Sequence, residues 1–73
     1  MTTLEADGAL QSLEASWFEA SRAANHALSE IKRYENAETP ALLEDAMVRF
    51  DAAQVLKRQI MREIETIEDA LIA

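Results

Sequence analysis

The chain has 73 residues, 14 of them acidic and 7 basic, and its net charge is −7. This length excludes more than one domain, and the excess of carboxylates disfavours nucleic acids and anionic lipid surfaces as partners, because both are negatively charged. A chain without cysteine has no disulfide and no thiolate site, and no apolar run approaches the ~20 residues of a membrane span.

The first predicted helix covers about residues 9–35, where no helix-breaking residue occurs. Thr2, Thr3 and Asp7 are candidate N-caps, and Gly8 predicts fraying before residue 9. Apolar residues recur along this helix at spacings of three and four, which is typical of one buried helical face. This stripe consists of Ala6, Leu10, Leu13, Trp17, Ala20, Ala24, Ala27, Ile31 and Tyr34.

The predicted turn covers residues 36–39. Asn36 tolerates the left-handed conformation that ends many helices. Thr39 and Pro40 favour a new helix with a hydroxyl N-cap and a proline at its first position. The second predicted helix therefore covers about residues 40–71, and its stripe consists of Leu43, Ala46, Phe50, Ala53, Ile60, Ile64, Ile67 and Leu71.

The two stripes predict an all-α fold, an antiparallel two-helix hairpin with a coiled-coil-like seam, formed by residues 1–73 as one domain. The numbers of facing residues add to 77, as for Ala27 and Phe50. One layer departs from the pattern, because Ala20 faces Lys57. We expect the Lys57 stem to lie along Trp17 with its amine in water, and Leu56 to fill the layer.

Several apolar residues lie outside both stripes and predict a second, partner-binding face. A hairpin that buries one stripe per helix gains little hydrophobic stabilisation for its length, so we expect another protein to pack on it. A contiguous apolar patch of this kind marks an interaction site. The candidate interface residues are Phe18, Leu28, Met47, Val48, Ala52, Val55 and Met61.

No residue pattern predicts catalysis, a metal site or a cofactor, and we expect a non-enzyme. His26 lies opposite the seam, and the residue three positions before it is Ala23, not the Glu of a metal-binding helix motif. Acidic residues cluster at the end of the hairpin opposite the turn, among them Glu5, Glu65 and Glu68, and are typical of a solvated surface. A mid-helix cluster of Lys57, Arg58 and Arg62 is expected to form weak surface ion pairs, with Glu65 one turn beyond Arg62.

The opening residues Met1-Thr2-Thr3-Leu4-Glu5, the small size, the acidity and the two-helix layout resemble the YscE-type family, the small co-chaperones of type III secretion needle subunits. The resemblance implies a non-catalytic protein-interaction module that pairs with a helical, tetratricopeptide-like chaperone. Together the two proteins would keep the needle subunit soluble in the cytoplasm before export, and the outer apolar face would contact the chaperone.

Two other functions stay open. Two copies of the hairpin would form a four-helix-bundle homodimer with a structural or adaptor role, or the acidic chain would inhibit a basic site as a nucleic-acid mimic. The N-terminus lacks the basic and apolar segments of a signal peptide. We therefore expect a cytoplasmic protein that does not insert into membranes.

Overall fold

A computed structural model describes residues 2–72, which form two long α-helices and no strand. Helix α1 covers Thr3–Tyr34 and helix α2 covers Pro40–Ile72. Residues 35–39 connect them, and so short a connection forces the helices to be antiparallel neighbours. The predicted all-α hairpin is confirmed.

Helix α1 begins at Thr3, well before the predicted boundary near residue 9. Thr2 is the N-cap, and its hydroxyl accepts a hydrogen bond of 3.1 Å from the backbone N–H of Glu5. The Glu5 carboxylate in turn accepts a bond of 3.2 Å from the backbone N–H of Thr2. This capping box satisfies two amides at the helix start, so the helix continues through Gly8.

The turn differs from the prediction at both ends. No residue among 2–72 has a positive φ, so the expected left-handed Asn36 is wrong. Instead α1 ends with Glu35 in right-handed geometry, and the Ala37 N–H donates to the Tyr34 carbonyl. At the start of α2 the Thr39 carbonyl accepts two backbone amides, but its buried hydroxyl has no hydrogen-bond partner among the described residues. The expected Thr39 hydroxyl cap is therefore also wrong.

The core between the helices consists mainly of alanine. Small side chains at these layers let two helices approach closely, but each buries little area. No large side chain among the described residues is completely buried, and nearly all remaining stripe residues are only half-buried. The buried apolar residues are Ala6, Ala20, Ala24, Ala27, Ala46, Ala53 and Ile60.

The irregular layer of the seam is filled by lysine. The Lys57 Nζ lies 5.1 Å from the centre of the Trp17 ring, a cation–π geometry that leaves the side chain half-buried. Leu56 exposes 47% of its surface and does not fill the layer, contrary to the prediction. The heptad position belongs to Lys57, so the adjacent Leu56 points ~100° away from it.

The hairpin has an unusually large surface for its mass. It measures 54 × 16 × 13 Å, and its radius of gyration is 16.4 Å, whereas a globular chain of this length has about 11 Å. Its accessible surface is 5547 Å², against about 4,500 Å² for a globular monomer of this mass. The excess is roughly 1,000 Å².

Candidate protein-interaction surface

The residues predicted to contact a partner are all exposed in the hairpin. Val48 exposes 61% of its surface and Phe18 59%, which are large fractions for apolar side chains. Further large apolar residues outside the prediction are also exposed, among them Leu4, Leu42 and Leu56. The hairpin therefore has exposed apolar side chains that the seam does not cover.

The exposed residues do not form the single contiguous patch that we expected. Trp17 and Ile60 face the opposite helix, and neighbouring helical residues are ~100° apart. Phe18 and Met61, which follow them, therefore lie on one side of the hairpin. Residues that precede them lie on the other side.

We call the first side the Met61 flank, defined by Leu28 and Phe18 of α1 and Met47 and Met61 of α2. We call the second side the Leu56 flank. It is defined by Ala23 of α1 and Ala52 and Leu56 of α2, which line one groove. The structure thus divides the predicted interface between these two flanks and the outer side of α2, where Val48 and Val55 lie.

An apolar groove lies at the centre of the Met61 flank. Its volume is about 550 Å³, and Glu14, Trp17, Phe18, Met61 and Ile64 line it. The two aromatic rings are edge-to-face, with centroids 5.5 Å apart and an interplanar angle of 78°. Adjacent aromatic residues of one helix therefore form a fixed wall of this groove.

Charged residues of both signs border the same groove. A second depression shares Trp17 and Met61 with it and is lined in addition by Gln54, Lys57, Arg58, Arg62 and Glu65. None of the three basic residues lies within 4.0 Å of a carboxylate among residues 2–72, so the surface ion pairs predicted for them do not form there. The charges of Arg58 and Arg62 are therefore available to an external group, whereas the Lys57 amine lies over the Trp17 ring.

The Leu56 flank carries a shallower apolar strip. A groove of about 350 Å³ runs between Ala23 on α1 and Ala52 and Leu56 on α2. Val48 and Val55 lie beside it on the outer line of α2, seven residues apart, and expose 61% and 44% of their surfaces. This strip and the outer line together form one apolar surface of α2.

A polar network joins the two helices on the Leu56 flank near the turn. Arg49 of α2 forms an ion pair with Glu30 of α1, and its Nε donates to the Asp45 carboxylate at 2.9 Å. His26 Nε2 lies 2.9 Å from the second Glu30 oxygen, although the His26 side chain is 71% exposed. The network therefore links the two helices near the turn, although its exposed groups make such ion pairs individually weak.

The pairing shifts two pKa values in opposite directions. The hydrogen bond from Arg49 is the largest effect on Glu30 and lowers the pKa of its carboxyl below the ordinary 4.5. Hydrogen bonds to Glu30 and then Asp45 raise the pKa of Arg49. The sequence contained a signal for this pair that we missed. Residues whose numbers add to 77 face each other across the seam, and 30 and 49 add to 79, so the two side chains lie at nearly the same level of the hairpin.

Metal-ligating side chains do not cluster among residues 2–72. These residues contain no group of three or more His, Cys, Asp and Glu side chains placed to hold a metal ion. Over the same range, neither helix has an apolar stretch long enough to cross a bilayer. The groups that the hairpin surface presents to a partner are exposed apolar side chains and charged side chains without an ion-pair partner among the described residues.

Comparisons with protein-family models, with curated proteins and with solved structures give no match for this chain. The functional argument therefore rests on the hairpin's own surface.

Proposed function

We propose that this hairpin is a non-catalytic interaction module that binds a helical partner protein through the outer apolar surface of α2. The excess of accessible surface is the observation that carries this proposal. A specific protein interface covers ~800 Å² on each partner, and the hairpin exposes 5547 Å², roughly 1,000 Å² more than a globular chain of its mass.

The contact surface that we assign to the partner consists of Val48, Ala52 and Val55, with Leu56 at its edge. These residues recur at spacings of four, three and one along α2, so they form a continuous line that a partner helix would cover. Burial of their exposed area would supply hydrophobic stabilisation that the alanine-rich seam lacks.

The specific role that we propose is a cytoplasmic co-chaperone. It would bind a helical chaperone and help to keep a type III secretion needle subunit soluble. The support for this role is the resemblance of the N-terminal residues, size and acidity to the YscE-type family, together with an exposed apolar surface where that resemblance would place the chaperone contact.

The test is affinity capture from the native cytosol with the tagged full-length chain and with a Val48→Asp, Val55→Asp variant. We expect the unmodified chain to retain a tetratricopeptide-like chaperone with a small secreted subunit, and the variant to lose both. The matched control is Ala15→Asp with Ser29→Asp, which adds the same charge to the outer line of α1 and should retain the complex. Capture that is unchanged in the α2 variant would refute the assigned surface.

A further inference from the structure

We infer that the half of the Met61 flank between Met61 and the end opposite the turn docks a basic amphipathic helix of another protein. This ligand helix would lie in the groove between α1 and α2, with its apolar side chains on the aromatic wall and its lysine or arginine side chains beside carboxylates of the hairpin. The inference goes beyond the proposed function, because it assigns a second ligand to a flank that the proposed contact surface of α2 does not include.

The apolar part of this site is the groove of about 550 Å³ that is lined by Glu14, Trp17, Phe18, Met61 and Ile64. Phe18 exposes 59% of its surface and Met61 40%, so both side chains present apolar area that the seam does not cover. Methionine adapts its shape to different partners, and aromatic rings supply large contact areas. Grooves of this composition are typical of surfaces that bind the apolar face of a helix.

The backbone of the hairpin favours a helical ligand over an extended one. Thr3–Tyr34 and Pro40–Ile72 are α-helical, so the described residues have no strand edge that could pair with an extended peptide. A helix satisfies its own backbone groups and needs only side-chain contacts. Leu4 lies 14 positions before Phe18, which corresponds to about 21 Å along α1 and leaves room for roughly four turns of a ligand helix.

Free carboxylates border this half of the flank on both helices. Asp7 and Glu14 lie a multiple of seven residues before Leu28, which defines the flank, and Glu68 lies seven residues after Met61. Glu65 lines a depression together with Met61. None of the four acidic side chains has an ion-pair partner among residues 2–72, so their mutual repulsion is uncompensated. Basic side chains of a ligand would relieve it.

The basic residues near the groove limit the acidic region to this half. Arg58 precedes Met61 by three residues and therefore lies on the turn side of the groove. The Lys57 amine lies over the Trp17 ring, and Arg62 lies on the outer line of α2, where it also borders a groove on the Leu56 flank. From Met61 to the end opposite the turn, the described part of the flank carries four carboxylates and no basic side chain. The ligand is therefore expected to place its basic residues over this half.

Trp17 reports on the site directly, because it is the one tryptophan of the chain and forms a wall of the groove. The probe is a synthetic peptide of about 16 residues, or roughly four helical turns, without tryptophan. Its leucines recur at spacings of three and four, and lysines lie on both sides of that stripe. The comparison peptide has glutamate in place of every lysine.

Each peptide is titrated into the purified full-length chain while the Trp17 emission is followed. We expect the lysine peptide to shift the emission to shorter wavelength, because the half-buried indole leaves water. Its binding should be roughly tenfold weaker at ~500 mM than at ~50 mM salt, since exposed charges are screened. The glutamate peptide should not bind.

Variants of the hairpin locate the site. Glu14→Gln with Glu65→Gln should weaken binding of the lysine peptide roughly three- to tenfold, because two exposed charge contacts are lost. The matched control is Glu19→Gln with Glu38→Gln, which makes the same charge change outside the Met61 flank and should leave binding nearly unchanged. Phe18→Ala should weaken binding by about tenfold or more, since it removes an aromatic contact at the centre of the site.

Unchanged Trp17 emission up to about 100 µM lysine peptide overturns the inference. So does equal binding of the glutamate peptide, which would indicate apolar contact alone. Equal losses in the two carboxylate variants would indicate attraction by the net charge of the whole chain, and also overturn it. An emission that shifts with the concentration of the hairpin by itself would place a second copy on the flank instead.

The variant that tests the proposed function separates the two proposals. Val48→Asp with Val55→Asp should leave peptide binding intact, because both residues lie on the outer line of α2. Loss of peptide binding in this variant would place the site on the outer surface of α2 and overturn the inference. Partner capture in the cytosol does not depend on the lysine peptide, so either proposal can fail while the other stands.

Discussion

Ile60→Ala is expected to destabilise the hairpin more than twice as much as Leu56→Ala. The two side chains are isomers, and each substitution removes the same three carbon groups, so the difference between them measures location alone. Ile60 exposes 5% of its surface and packs in the seam, whereas Leu56 exposes 47% on the neighbouring flank. The pair therefore tests the register of the seam at its irregular layer.

The size of the effect follows from burial. Three carbon groups at ~0.8 kcal/mol each amount to about 2.4 kcal/mol for a fully buried side chain. Ile60 loses nearly all of this and also leaves a cavity, for a total of about 3 kcal/mol. Leu56 loses about half, or ~1.2 kcal/mol, without a cavity. The higher helix propensity of alanine offsets a few tenths of a kcal/mol in both variants.

Thermal unfolding followed by far-UV circular dichroism, at one fixed protein concentration, measures this difference. Since 1 kcal/mol corresponds to roughly 4–8 °C for a domain of this size, we expect Tm to fall by about 12–24 °C for Ile60→Ala and about 5–10 °C for Leu56→Ala. Equal losses, or a larger loss for Leu56→Ala, would refute the register and place Leu56 in the seam.

Three further predictions concern the helix ends and the polar network. Gly8→Ala should stabilise the hairpin by ~0.5–1 kcal/mol in denaturant unfolding, because an added Cβ meets no atom within 4 Å and alanine costs less backbone entropy in a helix. Thr2→Ala should cost ~1 kcal/mol and speed hydrogen exchange of the first-turn amides. Glu30→Gln should lower Tm at pH 7, and by less as pH falls below 4.5: hydrogen bonding to Arg49 holds the folded pKa of Glu30 below its ordinary 4.5, so its stabilisation is present above that pH and is lost as pH falls through the folded value.

Each of these has a control and a contradicting outcome. Ala15→Gly, on the exposed outer line of α1, should lose about what Gly8→Ala gains, and a destabilised Gly8→Ala would mean that the helix does not continue through residue 8. Unchanged exchange in Thr2→Ala would exclude the capping box. A Tm difference for Glu30→Gln that does not shrink as pH falls below 4.5 would show that the Arg49 ion pair is not its cause, and Asp51→Asn, an exposed carboxylate outside the network, serves as the comparison.

Much of the architecture was accessible from the residue pattern. The three-four spacing of the stripes predicted the hairpin. It also placed Lys57 in the seam layer opposite Ala20, from which its side chain reaches Trp17. The helix start was mislocated, because Thr2 was named as a candidate N-cap without the second hydrogen bond, from its own N–H to the Glu5 carboxylate, that completes a capping box. Thr2 and Glu5 have the spacing of a capping box, and two reciprocal hydrogen bonds outweigh the ~1 kcal/mol cost of one glycine.

The sequence by itself determined that this chain folds back as two antiparallel helices. Each helix carries one apolar stripe, and the short turn between the helices lets the two stripes be buried against each other. It also identified a set of apolar residues outside the seam, but it wrongly assigned Leu56 to a seam layer, where the structure leaves it 47% exposed. Only the tertiary structure decided how these residues are grouped. Residues of one helix share a surface with residues of the other only when the rotation of both helices is known, and that rotation separates Phe18 and Met61 from Ala52 and Leu56. The same packing brought Arg49 of one helix to Glu30 of the other.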